Sequence, residues 1–557
     1  MKIVVIGSVA AGTSVAAKAR RNTEEAEIVV YDKGKDISYS VCGIPYYLGG
    51  EVETIDNLIP RDEKWFKERF QIDIHTQHEV LEVNADAHTL TVKNLQTNET
   101  ITENYDRLVL ATGASPYTPA PFELGRYSNL FQVRSMEDAR QIQEAIERLQ
   151  PKKVVIVGAG FIGLEMTEQL IRKGLEVTIV QLEDQVMPQM DKEMAFHVEE
   201  ELRNHNVTLQ LADTVATING NEKITQLTTT KGKTLETDLV ILATGVRPNT
   251  QLGSSLGAEI GSSRALKVDK QMRTNIPNVF AVGDVAESFS VIDGQPLYRP
   301  LGSTANKMGR IAGDVITGGS LTHRGVLGTG IFRIFDLHVA QTGLTEKEAR
   351  AKGYAIEVLY NIKPAHAKYL GGKEITIKAL VDKKSERILG AQIVGPEGVD
   401  KRIDVLATAI SFKAKAEDLF HLDLAYAPPF ATTKDPILYT GMALDNALKK
   451  NPLLTASELM KRSQKETIQI IDTRSKKDYE KNHVAHAQHI PLADLRDRLS
   501  ELDPTLPTVV YCNKGVTGNA AQNLLHNKGF KEVYNLSGGN KTYQLLKKMQ
   551  TIDAENS

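Results

Sequence analysis

Short apolar runs alternate with amphipathic stretches along the first part of the chain. From Lys2 to about Ser320 the runs have the length and composition of strands, and helical patterns separate them. This alternation predicts βαβ units that build parallel sheets. From Gly325 to about Ala443 strand-like runs dominate, with one helix predicted near 402–412, which indicates an α+β domain. After a polar stretch at 449–452 the alternation returns, and it predicts a further α/β domain.

Two of the predicted βαβ units are nearly duplicates. Residues 2–21 read KIVVIGSVAAGTSVAAKARR, and residues 153–174 read KVVIVGAGFIGLEMTEQLIRKG. A strand, a glycine-rich turn and a helix in this order bind dinucleotides, so the chain should hold two such ligands. The predicted fold class is α/β, with two Rossmann-like domains, an α+β domain and a C-terminal α/β domain. The predicted bounds are 1–150 with 271–322 for the first Rossmann-like domain, 151–270 for the second, 323–445 for the α+β domain, 446–455 for a linker and 456–557 for the last domain.

Composition and charge exclude several classes of function. The 557 residues include 67 Lys and Arg against 70 Asp and Glu, and the net charge of -3 gives no overall attraction to nucleic acid or to an anionic membrane. The longest apolar run, near 154–164, is far shorter than the roughly 18 residues of a membrane span. No signal segment precedes the first strand, so we expect a cytoplasmic protein. Two cysteines, Cys42 and Cys512, are too few for a disulfide framework and are therefore candidates for chemistry.

The second glycine-rich turn carries the full pattern of a dinucleotide site. Its three glycines lie between a strand and a helix, where they let the backbone approach a pyrophosphate. The position that binds the ribose is usually acidic and is Gln181 here. No Arg or Lys lies between residues 176 and 186 to receive a 2′-phosphate, so the sequence favours NADH over NADPH without deciding between them. The residues assigned to this site are Gly158, Gly160, Phe161, Ile162, Gly163 and Gln181.

The first glycine-rich turn departs from the pattern at one position. Val9 stands where the middle glycine is usual, while Asp32 follows the next strand and supplies the ribose partner. Two turns of this kind at the spacing of two domains support each other. The residues assigned to the first site are Gly7, Ala10, Ala11, Gly12 and Asp32.

Three further motifs resemble the pyridine nucleotide disulfide oxidoreductases that contain two dinucleotide folds. They are LATG at 110–113, LATG at 242–245 and NVFAVGD at 278–284, and the resemblance covers roughly residues 1–445. It implies FAD at the first site and NAD(P)H at the second, with Asp284 at the ribityl chain of the flavin. Residues 304–310, TANKMGR, resemble the helix start beneath the flavin ring. The resemblance adds to the cofactor sites Ala111, Thr112, Gly113, Gly245, Gly283, Thr304 and Ala305.

A single cysteine, Cys42, follows the first ribose position, where this family places its redox sulfur near the flavin. A dithiol reductase needs a second thiol within bonding reach, and the neighbouring residues provide none. The oxidised state is therefore either a sulfenic acid or a mixed disulfide with a small thiol. These options correspond to the NADH oxidase/peroxidase type and to the coenzyme A-disulfide reductase type of the family. The first type resembles GxxHGG in its glycine loop, and Ala10 takes the place of that histidine here, which disfavours peroxide reduction.

The coenzyme A reductases also resemble this chain at 366–369, HAKY, and at 425–430, AYAPPF. In that subfamily two tyrosines reach across a homodimer to the sulfur site, a role that the match assigns to Tyr369 and Tyr426. Coenzyme A carries phosphates, so its site should be basic. The positions that match the subfamily's coenzyme A contacts are Ser14, Lys18, Arg21, Ser38, Asn306, Arg310 and Lys434.

Cys512 follows a predicted strand and precedes a helical run, in a loop with two glycines. Successive backbone N–H groups in such a loop can form an anion nest that lowers the pKa of a thiol and holds a persulfide. The surrounding unit resembles a rhodanese domain, although Thr517 stands where an arginine is frequent, and Asn482 and His486 where glycines are usual. The matching segments are 471–474, 483–491, 509–518 and 536–539.

These assignments predict an FAD- and NAD(P)H-dependent reductase of coenzyme A disulfide or of coenzyme A persulfide or polysulfide. Cys42 would be nucleophile and electron relay, with a pKa lowered by the flavin-side environment, and Cys512 would carry sulfane sulfur from a donor to coenzyme A. Two other hypotheses remain open: a water-forming NADH oxidase and a non-catalytic redox sensor. No metal, nucleic-acid or membrane partner is predicted.

Overall fold

The duplicated βαβ pattern forms two parallel five-stranded sheets. In the computed structural model, which describes residues 1–556, both sheets lie in the first of two units, made of residues 1–184 and 203–328. Their central strands are short apolar runs with both faces covered, as parallel sheets require. In spatial order the first sheet contains Val279–Ala281, Arg107–Leu110, Lys2–Ile6, Glu27–Tyr31 and Asp73–His75. The second sheet contains Thr208–Gln210, Glu176–Val180, Lys153–Val157, Leu239–Leu242 and Leu130–Gln132.

Each parallel sheet is accompanied by a three-stranded antiparallel sheet, so the duplication extends beyond the glycine turns. These sheets contain His78–Asn84, Thr89–Asn94 and Thr100–Asn104 in one case, and Val215–Asn219, Gln226–Thr229 and Thr234–Glu236 in the other. Two strand pairs complete the unit: Ala114–Pro116 with Val246–Pro248, and Ser288–Phe289 with Pro296–Leu297. Its helices, including short 3-10 turns, are Ala11–Asn22, Val41–Gly43, Ile44–Gly49, Ile55–Leu58, Glu63–Phe70, Met136–Leu149, Phe161–Arg172, Gln251–Ser255, Gly283–Val285 and Gly302–Ile316.

Two glycines let the helix Gly302–Ile316 lie directly on the helix Ala11–Asn22. A Cβ added at Gly309 would lie 2.4 Å from the carbonyl oxygen of Ala11, and one at Gly313 would lie 2.6 Å from that of Val15. Larger side chains at these positions would push the helices apart. The close packing brings the predicted flavin-side helix start next to the first glycine loop.

The second unit, residues 185–202 and those from Thr329 onward, contains an antiparallel sheet and a parallel sheet. The antiparallel sheet contains, in spatial order, Gly330–Ile334, Leu337–Gly343, Ile388–Gly395, Glu374–Asp382 and Ile356–Pro364. The parallel sheet contains Leu453–Leu454, Val533–Leu536, Thr508–Tyr511, Gln469–Asp472 and Gln488–His489. The helices and 3-10 turns are Glu346–Ala351, Lys368–Leu370, Val399–Ser411, Ala416–Phe420, Pro436–Lys449, Ala456–Arg462, Lys476–Lys481, Leu499–Glu501, Val516–Asn527 and Gly539–Asn556. The helix Val399–Ser411 confirms the one predicted near 402–412.

A buried lysine explains why 185–202 belongs to the second unit. The Nζ atom of Lys378 lies 2.9 Å from a carboxylate oxygen of Asp191 and 2.8 Å from one of Glu346, and it also contacts Glu193. Tyr360 donates a hydrogen bond of 2.6 Å to Glu193. The lysine is almost fully buried, so removing it would leave carboxylates without their counter-charge, which is strongly destabilising. This cluster fixes the start of the helix Lys192–Asn204 on the antiparallel sheet.

The structure departs from the predicted bounds in three places. The strand Leu130–Gln132, predicted inside 1–150, pairs with Leu239–Leu242 of the second parallel sheet. Residues 185–202, predicted inside 151–270, belong to the second unit. A linker was predicted at 446–455. The helix Pro436–Lys449 includes its first residues, and the strand Leu453–Leu454 joins the parallel sheet of the second unit. Within residues 1–556, no helix combines the length and apolar character needed to cross a bilayer.

Candidate functional site

The backbone of the first glycine loop is packed so closely that two of its positions have no room for a side chain. Gly7 has φ +108°, and a Cβ there would lie 2.2 Å from the carbonyl oxygen of Ala111; a Cβ at Gly12 would lie 1.8 Å from that of Gly7. The helix that starts at Ala11 has no side-chain cap, so its first N–H groups are available to a ligand. Asp32 closes the loop by accepting hydrogen bonds from the backbone N–H of Ser8 (2.7 Å) and from its hydroxyl (2.6 Å). This arrangement fits a pyrophosphate at the helix start and a ribose beside the carboxylate.

The second loop repeats this construction with an amide in place of the carboxylate. Gly158 has φ +105°, and its Cβ would lie 2.3 Å from the carbonyl oxygen of Ala243, whereas a Cβ at Gly160 would meet nothing within 4 Å. The helix starting at Phe161 also lacks a side-chain cap. The backbone N–H of Ala159 donates to Oε1 of Gln181 at 2.8 Å, as that of Ser8 donates to Asp32. The structure thus places Gln181 where sequence predicted the ribose position.

The resemblance-derived cofactor residues divide into two groups. Gly283 and Asp284 approach the first loop, because a Cβ at Gly283 would lie 2.9 Å from Cβ of Ala11. Thr304 and Ala305 are buried near the start of helix Gly302–Ile316.

The second group links the two parallel-sheet domains. Thr112 Oγ1 donates to the carbonyl oxygen of Asn249 at 2.8 Å, and the Asn249 side-chain amide donates back to the carbonyl of Thr112 at 2.8 Å. The N–H of Asn249 donates to Gly113, and that of Tyr117 donates to Gly245. The structure therefore gives Thr112, Gly113 and Gly245 a joining role, whereas Ala111 borders the first loop directly.

Cys42 lies in the 3-10 turn Val41–Gly43, immediately before the helix Ile44–Gly49. Its side chain is exposed. The surrounding protein atoms nevertheless desolvate the thiol and raise its pKa, Glu165 and Asp284 raise it further, and Arg134 opposes them. The protein's own groups therefore raise this pKa, chiefly through desolvation, and the lowering expected from the flavin side stays a prediction.

Sequence reasoning missed Arg134 and Glu165. Arg134 donates to Oδ2 of Asp284 at 2.8 Å, and Tyr46 donates to Oε1 of Glu165 at 3.0 Å. The only available signal for Glu165 was an acidic residue in the otherwise apolar run FIGLEM of the second-loop helix. Arg134 gave no signal, because it follows the strand Leu130–Gln132 in a stretch without a motif.

The coenzyme A candidates lie along the two packed helices of the first unit, except for Ser38 and Lys434. Ser14 donates to Asn306 at 2.6 Å. Lys18 forms an ion pair with Asp314 at 3.0 Å, and the guanidinium of Arg21 stacks 5.1 Å from the ring centre of Phe70.

Three candidates complete this set. Arg310 is exposed on the same helix as Asn306, and Ser38 follows the first ribose position with φ +50°. Lys434 is exposed and belongs to the second unit.

The two tyrosine motifs are neighbours in the second unit. The N–H of Ala367 donates to the carbonyl oxygen of Pro428 at 3.1 Å, which joins the segments 366–369 and 425–430. Tyr369 is 78% exposed, Tyr426 is 50% exposed and Phe430 is 71% exposed. Large apolar side chains exposed in one region indicate a surface that a partner covers.

Cys512 is buried between the strand Thr508–Tyr511 and the helix Val516–Asn527. The backbone N–H of Gly515, at φ +97°, donates to Sγ at 3.2 Å, which provides one donor of the predicted anion nest. The loop is pressed against Gly539, where a Cβ would lie 2.2 Å from the carbonyl oxygen of Cys512. Arg474 donates to the Asn513 side chain at 3.0 Å.

Three family models match this chain. The pyridine nucleotide-disulphide oxidoreductase model matches residues 1–308, its dimerisation domain model matches 331–436, and the rhodanese-like domain model matches 455–545. Among curated relatives, a Methanocaldococcus jannaschii protein named NADH oxidase is 38% identical over 452 residues, which are 81% of this chain and 99% of that protein. A Pyrococcus furiosus protein named NAD(P)H sulfur oxidoreductase (CoA-dependent) is 38% identical over 80% of this chain and 99% of its own length.

Two solved structures extend over nearly the whole chain. Reduced Bacillus anthracis CoADR-RHD is 36% identical, covers 98% of each chain and has a TM-score of 0.95. A NAD-dependent persulfide reductase from A. fulgidus is 36% identical, covers 98% of this chain and 100% of its own, and has a TM-score of 0.88. These similarities confirm the predicted fold class and the resemblance on which the predicted cofactors rest. The chain belongs to the pyridine nucleotide-disulphide oxidoreductase family.

Proposed function

We propose that this protein is an NAD(P)H-dependent flavoprotein reductase of coenzyme A disulfide and coenzyme A persulfide, with a rhodanese domain that supplies sulfane sulfur. A Pyrococcus furiosus relative is named for coenzyme A-dependent sulfur reduction, and an A. fulgidus structure is named a persulfide reductase. Both are related to this chain over four-fifths or more of its length. The proposal includes a homodimer and a cytoplasmic location.

One observation carries the proposal: the first unit contains a single, exposed cysteine that interacts electrostatically with Asp284 of the proposed FAD site. With no second thiol in that unit, Cys42 can store oxidation only with a partner from solution or as an oxygen acid. Exposure admits a substrate as large as coenzyme A. A buried thiol would instead favour a small oxidant.

The two glycine loops are suited to the two cofactors. Gly7, Gly12 and Asp32 would hold FAD with Asp284, and Gly158, Gly160 and Gln181 would hold NAD(P)H. Bound FAD would supply the transfer of two electrons from the nicotinamide to sulfur. The uncapped helix starts would stabilise the phosphate charges in both loops.

The chain's own chemistry is performed by Cys42. Its thiolate attacks the coenzyme A sulfur of a persulfide, which forms a mixed disulfide as sulfide leaves, and two electrons and protons then release coenzyme A and restore the thiol. Overall, coenzyme A persulfide, NAD(P)H and a proton give coenzyme A, hydrogen sulfide and NAD(P)⁺. Tyr369 and Tyr426 would reach this site from the partner subunit, where a phenol donor stabilises the leaving thiolate.

The rhodanese domain would load the substrate. Cys512 accepts a sulfane sulfur, and the resulting persulfide passes that sulfur to coenzyme A. The N–H of Gly515 already points at Sγ and would stabilise the negative charge.

Intact-protein mass spectrometry tests the proposal directly. We expect an adduct with the mass of coenzyme A on Cys42 in the purified protein, removed by a thiol reductant and absent from Cys42→Ser. The full-length enzyme should consume NAD(P)H under nitrogen when coenzyme A persulfide or disulfide is added. If NADH is consumed only with oxygen, the protein is an NADH oxidase, as its Methanocaldococcus jannaschii relative is named. If no sulfur species is turned over, the redox-sensor hypothesis replaces the proposal.

A further inference from the structure

The rhodanese domain contacts the edge strand Ile356–Pro364 of the antiparallel sheet. Ser537 accepts a hydrogen bond from the backbone N–H of Tyr360 at 2.8 Å and donates one to the carbonyl oxygen of Val358 at 3.1 Å. A Cβ added at Gly538 would lie 2.8 Å from Cβ of Tyr360. The exposed backbone groups of an edge strand are thereby satisfied by a rhodanese loop.

That same loop holds the Cys512 backbone. The N–H of Asn540 donates to the carbonyl oxygen of Cys512 at 2.8 Å, and the N–H of Lys541 donates to that of Asn513 at 3.2 Å. The segment 537–541 therefore lies between the edge strand and the cysteine loop. Because this segment is short, residues of the antiparallel sheet can reach the Cys512 site.

Three lysines lie at this junction between the edge strand and the cysteine loop, and two of them share a single carboxylate. Lys514 and Lys541 share one partner, Glu374, which pairs in register with Pro364 at the end of the edge strand. The next residue along that strand is Lys363, whose Nζ lies 3.7 Å from the ring centre of Tyr439. Among the side chains of residues 1–554, no carboxylate lies within ion-pair distance of Lys363. Desolvation, Lys514 and Lys434 lower the pKa of Lys363, and Cys512 opposes them, so these groups share one electrostatic neighbourhood.

We propose that Lys363, which comes from the dimerisation domain, is a binding residue of the Cys512 site that selects anionic sulfane-sulfur donors. The inference rests on the proposed role of Cys512. Within the rhodanese loop itself, Thr517 stands where an arginine is frequent. A cation from the neighbouring domain compensates for that substitution, and a half-buried ammonium without a carboxylate attracts an anion more strongly than a neutralised one.

Thiosulfate illustrates the reaction and its charges. The Cys512 thiolate attacks the outer sulfur, a bond forms between Sγ and that sulfur, and the sulfur–sulfur bond of thiosulfate breaks with its electron pair leaving on sulfite. The thiolate and thiosulfate together carry three negative charges, as do the products, a persulfide anion and sulfite. No further oxidant or reductant is needed. Coenzyme A thiolate then takes the outer sulfur, which gives coenzyme A persulfide and restores the Cys512 thiolate. Lys363 would stabilise the crowded negative charge as the donor approaches.

The test compares a charged with an uncharged donor in the full-length, FAD-loaded protein. Lys363→Met removes the charge and keeps much of the length, Lys363→Arg restores a cation, and Lys415→Met is the matched control, since that exposed lysine pairs only at the surface with Glu386. With thiosulfate, Lys363→Met should lose about tenfold or more in kcat/KM, mainly through KM, because uniform binding is removed. With dimethyl trisulfide, which is uncharged, it should change by less than about twofold. Lys363→Arg should recover most of the thiosulfate activity, and Lys415→Met should behave as the parent.

A second measurement does not depend on sulfur transfer. The rates at which iodoacetate and iodoacetamide alkylate Cys512, followed by mass spectrometry, report the preference for an anion over a neutral reagent. Their ratio should fall in Lys363→Met and stay unchanged in Lys415→Met. Equal losses for both donors, or an unchanged alkylation ratio, would overturn the inference. A parent protein that transfers sulfur from neither donor, with a ratio that still depends on Lys363, would overturn the proposed role of Cys512 and leave the anion selection standing.

Discussion

The two cysteines of this chain lie in opposite chemical surroundings. Cys42 is exposed, and nearby carboxylates of Glu165 and Asp284 raise its pKa together with desolvation. Cys512 is buried, accepts a hydrogen bond from the N–H of Gly515 and interacts electrostatically with Lys363. One thiol is accessible and lies near carboxylates, while the other is enclosed and lies near lysines.

This difference matches two tasks. A thiol that must meet a large cosubstrate and a flavin needs open space, and its reactivity can be set by the bound cofactor and substrate. A thiol that must keep a persulfide needs fixed donors and protection from solvent, because the persulfide is itself nucleophilic. We therefore expect that substitution can separate the proposed reductase and sulfur-transfer functions, although they share one chain.

Replacing the exposed thiol should have the largest effect. Cys42→Ser should lower the reduction of coenzyme A disulfide and persulfide by at least about 10³-fold, since the covalent step is lost. The flavin absorbance should be retained, because the contacts that shape the proposed FAD loop at Gly7, Gly12 and Asp32 do not involve Cys42. Anaerobic NAD(P)H consumption and visible spectra measure both properties. Undiminished turnover in the serine variant would refute the relay.

Replacing the buried thiol should affect only the other reaction. Cys512→Ser should abolish sulfur transfer from thiosulfate or polysulfide, while reduction of preformed coenzyme A disulfide should change by less than about twofold. Both rates are measured on the same preparation, and Lys415→Met again serves as a surface control. A large loss of disulfide reduction would place Cys512 on the electron path, and the separation of functions would fail.

The exposed tyrosine tests whether the Cys42 site is shared between subunits. Tyr426→Phe should lower disulfide reduction by about 10- to 100-fold if its phenol protonates the leaving thiolate. In heterodimers of a Cys42→Ser subunit with a Tyr426→Phe subunit, action across the dimer leaves one site fully intact and one site with both substitutions. The heterodimers should then exceed both parents and approach half the unsubstituted activity. Activity no higher than that of the Tyr426→Phe parent would contradict action across the dimer.

The sequence was informative wherever backbone geometry demands a residue type. Gly7 and Gly158 were predictable because only glycine tolerates their positive φ beside a neighbouring carbonyl group. Asp32 and Gln181 followed from their distance to those turns, and the structure gives both the same hydrogen-bonding role. The order of elements and the fold class could be read from the alternation of apolar and amphipathic runs along the chain.

The electrostatics of the sites could not be predicted, because they depend on residues brought together from distant segments. Glu165 and Arg134 act on Cys42 from two different elements, and neither belongs to a local motif. Lys363 interacts with Cys512 from another domain. The contact between these domains cannot be predicted from the pattern of apolar and polar residues. Residues 185–202 lie outside the unit predicted for them for a similar reason, since their attachment depends on Lys378, far along the chain.

The smallest expected effect concerns the acidic surroundings of Cys42. Glu165→Gln removes a negative charge that raises the pKa of the thiol, so that pKa should fall. A lower pKa means more thiolate at neutral pH, and alkylation of Cys42 by iodoacetamide should therefore become faster there, with its pH midpoint displaced downward. Arg134→Gln should move the midpoint upward, because it removes a cation that favours the thiolate. Glu144→Gln, at an exposed helical position, should leave the midpoint unchanged. A midpoint that rises in Glu165→Gln would show that this carboxylate does not restrain the exposed thiol, and the electrostatic contrast between the two cysteines would lose its basis.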